Sequence, residues 1–161
     1  MAILSTNELL GQEGQPVHKS RFRVIIDGIP SFLAFAVSLP VPTTSQIPIN
    51  HINIQRKSKG KTTWGDMTLS LRQFIAPSTL QLVWNWFLLG HQRDLGKDGY
   101  DDIVKRNIVI QILDPEGAVI QQHSIFGCFI KTQTGLDYSY DEDDKVDIGL
   151  DISVDWARLD F

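Results

Sequence analysis

Few residues in this sequence are of types that do chemistry, and their spacing argues against it. The four histidines, His18, His51, His91 and His123, stand singly, with no pair at helical or hairpin ligand spacing. The one cysteine, Cys128, sits in the apolar stretch Phe126-Gly127-Cys128-Phe129-Ile130 and reads as a small core residue. A single thiol permits neither an internal disulfide nor a cysteine-based zinc site. The run Asp141-Glu142-Asp143-Asp144, followed by Asp147, invites a calcium reading. It fails the EF-hand template, because Lys145 holds the fifth position and Val146 the place of the turn-forming glycine. A solvated acidic turn is the simpler reading, and a looser surface calcium site stays open. Gly60-Lys61 lacks the earlier glycine of a phosphate-binding loop, since Gln55 stands there. No Gly-x-Ser-x-Gly elbow, Gly-x-Gly-x-x-Gly or His-Glu-x-x-His occurs. The chain therefore reads as non-enzymatic, with no cofactor, catalytic or metal residue assigned. Trp64, Tyr138 and Tyr140 with scattered carboxylates keep a β-sandwich ligand-binding module open as a reading of another class.

Composition sets the class. The 161 residues suit one domain with a real core, and 42% hydrophobic against 21% charged residues marks a globular chain. The N-terminus lacks the basic start and apolar stretch of a signal peptide, and no apolar run is long enough to span a bilayer, so folding in a cytoplasm without membrane insertion is expected. A net charge of −4 argues against binding nucleic acid through its phosphates. The distribution of charge says more. Residues 17–72 carry eight Lys/Arg and two Asp/Glu, and residues 131–161 carry three and nine. Either the charges are scattered over a solvated surface, or one region of a subunit attracts the opposite region of its neighbour.

The apolar pattern places the elements. Residues 1–20 read as an irregular N-terminal arm and 21–161 as one domain. Alternation predicts strands near 21–27, 32–37, 43–54, 66–74, 107–113, 125–131 and 146–156, with a break near Asn50-His51 where the apolar parity changes. Arg56, Lys57, Lys59 and Lys61 fall in an expected exposed loop. Asp114-Pro115-Glu116-Gly117 is a turn sequence, with Val119 and Ile120 on the returning strand. Pro77-Ser78-Thr79 opens a helix that stops at Gly90. Its expected core stripe is Leu80, Val83, Trp84, Phe87 and Leu88, which leaves Leu82, Trp86 and Leu89 to pack on a neighbouring chain or under a loop. The last strand alternates most strictly: even residues from Val146 to Trp156 are expected inward, and Asp147, Asp151 and Asp155 outward.

The order and spacing of these elements resemble a known family. The marks are Arg21–Asp27, then Phe35-Ala36-Val37-Ser38-Leu39-Pro40, then a basic segment ending in Trp64-Gly65-Asp66-Met67-Thr68-Leu69-Ser70-Leu71-Arg72. The Trp84/Trp86 helix follows, then the Asp114–Gly117 turn, Leu136-Asp137-Tyr138 and a closing Val154-Asp155-Trp156-Ala157-Arg158. Together they look like the tail-tube proteins of contractile phages and the inner tubes of related injection systems and type VI secretion. The resemblance implies a mainly β fold of two packed antiparallel sheets, a sandwich or barrel with one flanking helix. It implies a structural subunit that forms hexameric rings, stacked head to tail into an inner tube, with sheath, baseplate and tape-measure partners. Such a protein resides in a virion tail, where DNA passes through without specific binding. A tail-terminator or baseplate tube-like role is the alternative. On this reading Asp147, Asp151 and Asp155 are candidates to line the lumen. Arg56, Lys57, Lys59 and Lys61 are candidates to meet Asp141, Glu142, Asp143 and Asp144 between rings, and Leu82, Trp86 and Leu89 to pack on a neighbour.

Overall fold

The computed structural model describes residues 16–92 and 94–161. Most of the expected N-terminal arm lies outside the described residues. In chain order the strands are β1 (Phe22–Ile26), β2 (Ala34–Ser38), β3 (Pro42–His51), β4 (Ile54–Trp64), β5 (Met67–Arg72), β6 (His91–Gln92), β7 (Lys97–Asp98), β8 (Arg106–Leu113), β9 (Val119–Thr134), β10 (Asp147–Ser153) and β11 (Trp156–Leu159). Helix α1 (Thr79–Gly90) lies between β5 and β6, and a one-turn helix spans Asp101–Val104.

Seven strands form one antiparallel sheet in the order β1-β8-β9-β10-β5-β2, with β11 also paired to β9. The expected two sheets are halves of this one, joined through the 16-residue β9. One edge of β9 carries β8, and its other edge carries β10 and then β11. The two ends of the sheet, β1 and β2, flank a groove of about 530 Å³ lined by Phe22, Phe35, Val37, Leu39, Ile110 and Ile112. The sheet thus curls toward a barrel and stops short of closing.

Alternation explains the core. Ile148, Leu150 and Ile152 of β10 lie opposite Leu71, Leu69 and Met67 of β5, and all six are buried. Val24 and Ile26 of β1 and Ile108 and Ile110 of β8 join them from the other half, so both half-sheets turn their apolar faces to one cluster. The Asp114–Gly117 turn forms as its residues dictate. Asp114 Oδ1 accepts the N–H of Glu116 and of Ala118, and Gly117 takes a φ of +91°.

The inward parity changes at one place. Ile125 is buried, and so are Cys128 and Ile130, so β9 changes face between them. The change falls at a bulge opposite β8, where Gly127 has a φ of +66°. The partner strand changes with it: Val154 is the last inward even residue, and Ala157 is the next residue packed on the core. Trp156, expected inward, is therefore turned out and 45% exposed, stacked on Phe126 with ring centroids 4.2 Å apart. A Cβ on Gly127 would run into the Asp155 carboxylate, which Lys105 holds from 2.9 Å. Glycine is required there both for its backbone conformation and for space.

Helix α1 inverts part of its expected orientation. Thr79, Val83 and Trp86 face the core, with Leu80 and Leu82 packed partly against it. Trp86 is 1% exposed and donates its Nε1–H to the Val104 carbonyl at 2.9 Å, beneath the Arg106 guanidinium. Trp86 therefore does not pack on a neighbour, and Leu82 is largely taken up by the chain itself. Phe87, Leu88 and Leu89 form the exposed apolar side instead.

The end of the chain is fastened by Asp160. Its carboxylate accepts the Ser124 hydroxyl at 2.5 Å, the Gln122 amide at 2.9 Å and the Arg158 Nε–H at 2.7 Å. These bonds, the Ser124 hydroxyl first, hold its pKa at about 2, below the ordinary 3.8. A carboxylate depressed in the folded state stabilises it above the unfolded pKa, and that contribution is lost as pH falls through the folded value. Asp160→Asn should lower Tm at neutral pH and flatten the acid limb of the stability curve between roughly pH 4 and pH 2, read by thermal denaturation across pH. Leu150→Ala should cost about 3 kcal/mol, read as a lower urea midpoint at unchanged slope.

Candidate assembly surfaces

The expected basic loop is a strand. Arg56, Lys57, Lys59 and Lys61 lie on β4, which pairs with β3 in a hairpin that stands off the body. All of its residues are exposed apart from the half-buried Gly60 and Trp64. The parity change near Asn50-His51 is the hairpin's turn at Ile52-Asn53, where Ile52 takes a φ of +48° and is 91% exposed. Register sorts the side chains onto two faces. Ile47 opposite Ser58, Ile49 opposite Arg56 and His51 opposite Ile54 make an apolar face. Gln46 opposite Lys59, Pro48 opposite Lys57 and Asn50 opposite Gln55 make a polar one. Residues 42–64 contain four cations and no Asp or Glu. Gly60 lies against Ser45 at a register shift, where a Cβ would run into the serine. The base of the hairpin rests on the body beside β11, where Pro42 and Trp64 meet Ala157, Arg158 and Leu159. Just past it Lys131 Nζ bonds Asp66 at 2.5 Å.

An isolated two-stranded hairpin in water is marginally stable at best. Among the described residues this one has no third strand, and beyond its base no body surface lies beneath either face. Ile47, Ile49 and Ile54 stay more than half exposed among the described residues, so the arrangement suits a surface to be covered by another chain.

The acidic turn lies at the other end of the molecule. β5 runs from the hairpin's base to Arg72, and Arg72 lies opposite Asp147, where the 135–146 segment enters β10. Asp141, Glu142, Asp143 and Asp144 are exposed. Among the described residues none of them, and none of Arg56, Lys57, Lys59 and Lys61, makes an ion pair within the chain. Tyr138 and Tyr140 beside them are exposed rather than gathered with Trp64, which sits at the hairpin's base.

The outward face of the β2-β5-β10 half-sheet is paved with small polar residues. Ser38 pairs with Thr68, Ala36 with Ser70, Gly149 with Ser70, and Asp151 with Thr68 on one side and Thr132 on the other. The three candidate aspartates do not form a uniform anionic strip. Asp147 pairs with Arg72 at 3.4 Å, and Asp155 belongs to the bulge, where it is held by Lys105. Asp151 is the one whose carboxylate makes no such bond, although its field adds to the Asp66 contact that raises the Lys131 pKa.

Nothing in the described residues gathers catalytic groups. Burial pushes the Cys128 thiol up to about 12, far from a thiolate at neutral pH. His91 Nδ1 lies 2.8 Å from Asp98, and no group of three His, Cys, Asp or Glu among the described residues is placed to hold a metal ion.

No family model matches the sequence, and no curated protein matches it. Solved structures do match in shape. A chain of the PVC sheath–tube complex of an extracellular contractile injection system, in its extended state, aligns over 98% of both chains with a TM-score of 0.71 at 16% identity. The anti-feeding prophage cap, a tube-terminating cap, aligns over 91% of this chain and 92% of its own with a TM-score of 0.74 at 15% identity. Hcp1 from Flavobacterium johnsoniae aligns over 87% and 94% with a TM-score of 0.52 at 9% identity. At these identities the likeness is one of fold: the chain has the fold of the chains aligned from these contractile injection systems.

Proposed function

We propose that this chain is a non-catalytic structural subunit that assembles with copies of itself into rings, stacked head to tail as the inner tube of a contractile injection system. The observation that carries the reading is the projecting hairpin, with two developed faces and, among the described residues, nothing covering them beyond its base. Two further features support it. The sheet stops short of closure, so β1 and β2 present unpaired edges that neighbouring copies can complete. The fold likeness extends to chains from a sheath–tube complex and a tube-terminating cap.

In such an assembly the rings are hexameric, and sheath, baseplate and tape-measure proteins are the partners. The subunit then resides in a tail, assembled in the host cytoplasm. The small, hydroxyl-rich face of β2, β5 and β10 is suited to line a channel. Its one Arg72–Asp147 pair cancels locally, and Asp151 leaves a weak negative potential that discourages DNA phosphates from sticking. Exposed Phe87, Leu88 and Leu89 of α1 offer a surface to a neighbour. A terminator role is the second reading, favoured by the likeness to the tube-terminating cap. A terminator closes into rings but does not polymerise, because a stacking contact propagates until something caps it.

Purified protein should sediment as rings and polymers at micromolar concentration, with tubes in negative stain. Rings without tubes select the terminator role, and a concentration-independent monomer overturns both. Ile47→Ser/Ile49→Ser/Ile54→Ser should leave monomer unfolding within about 0.5 kcal/mol of wild type and abolish polymers, because those side chains are more than half exposed and lie outside the core cluster. Asp151→Lys should leave tubes intact and slow the passage of DNA. Loss of assembly in that variant would place this face in an interface instead.

A further inference from the structure

The β3–β4 hairpin combines two properties of segments that bind bilayer surfaces. Its apolar residues run out to its tip. Ile47, Ile49 and Ile54 share one face, and Ile52 stands at the turn itself with its side chain in solvent. Its charge is of one sign, with four cations and no Asp or Glu between residues 42 and 64. Arg56 lies on the isoleucine face opposite Ile49, and Lys57 and Lys59 lie on the other. The ten residues of β3 carry the tip roughly 30 Å from the hairpin's base at the rise of a β-strand.

An anionic bilayer surface complements both properties. Its headgroups attract Lys and Arg, and the boundary beneath them takes up apolar side chains. Ile52 and Ile54 enter that boundary, while the stem of Arg56 lies along the isoleucines and its guanidinium reaches back to the phosphates. The hairpin goes no deeper. The outer edges of a two-stranded ribbon carry unpaired N–H and C=O groups, which hydrocarbon cannot satisfy. The rest of the chain favours the same approach. Asp141, Glu142, Asp143 and Asp144 are exposed at the opposite end, where an anionic surface repels them and turns the hairpin toward the lipid. Duplex DNA is equally anionic but offers no apolar phase, so it would leave the isoleucines in water.

We propose that the hairpin binds the surface of an anionic bilayer, tip first and without spanning it. This goes beyond the reading of the chain as a tube subunit and requires no particular assembly. In the proposed tube it applies to the end ring whose hairpins no further ring covers, where several tips meet one membrane and their individually weak contacts reinforce one another.

Flotation of the full chain tests this, because vesicles rise in a density gradient whereas protein alone does not. The wild-type chain should rise with vesicles of phosphatidylcholine containing about one-third phosphatidylserine and not with phosphatidylcholine alone, and added salt should weaken the binding. Ile52→Asp and Lys57→Glu/Lys59→Glu should each lower the bound fraction by about tenfold or more. Both variants change only exposed residues, and thermal denaturation confirms that each folds. An environment-sensitive dye on Asn53→Cys should brighten on the anionic vesicles, and one on Glu142→Cys should not; Cys128 is buried and does not compete for the label. Where tubes form, they should touch vesicles by one end, and contacts along their sides overturn the proposal. Ile52→Asp floating as well as wild type overturns it, as does equal binding to neutral vesicles. A chain that ignores vesicles but retards duplex DNA through Lys57 and Lys59 overturns it in favour of nucleic acid. Each of these failures leaves the tube subunit standing, since rings and polymers are scored in the absence of lipid.

Discussion

A strand that serves two half-sheets must change which side faces inward part-way along, and β9 does so at Gly127. Upstream its inward residue is Ile125; downstream they are Cys128 and Ile130. A left-handed residue at the bulge makes the switch, and the Asp155 carboxylate fills the space a side chain would need. The partner edge follows, so that β10 and β11 keep register with β9 while exchanging faces. Without that switch one half-sheet would turn its apolar face to water. The single core, the seating of Trp86 beneath Arg106 and the approach of β1 to β2 all depend on it.

The body is complete as a core and incomplete as a surface. Its buried residues are close-packed, and the Asp160 bonds fasten the last strand. Yet among the described residues the sheet ends in two unpaired edges, α1 shows Phe87, Leu88 and Leu89 to water, and a 23-residue hairpin extends with its isoleucines more than half exposed. Each of these is unfavourable for an isolated chain and is relieved by contact with another. The charge arrangement has the same sense. Among the described residues, cations without acids stand at one end and acids without intrachain partners at the other; in the proposed assembly they contribute direction to association and little to the stability of a single copy.

Much of this was legible in the sequence, and the misses have physical reasons. β1, β5 and β10 each bury one face, so their side chains alternate and the strands are readable. The Asp114–Gly117 turn was equally plain. β4 buries neither face, so Lys57-Ser58-Lys59-Gly60-Lys61 carries no alternation of apolar with polar residues and reads as a loop; only pairing with β3 makes it a strand. Helix α1 is apolar on more than one side, so its stripe can be drawn in more than one way, and the hydrogen bond from Trp86 to Val104 that selects the buried one is invisible in a linear pattern. Trp156 obeys the even spacing of β10 and still turns outward, because Gly127 acts from a different strand. The candidate surfaces divide in the same way. Charge blocks are visible in composition, whereas the two faces of the β3–β4 hairpin join residues whose neighbourhood only the strand register creates.

The detachment of the hairpin from the core has a consequence for how such a chain can change over time. In the proposed assembly, substitutions at the exposed positions of β3 and β4 are screened mainly where copies meet, since beyond Pro42 and Trp64 at its base the hairpin stands off the body. One scaffold can therefore carry many docking vocabularies, drifting in step with their receiving surfaces. Two lineages descended from a common ancestor could share a cell and still refuse each other's copies.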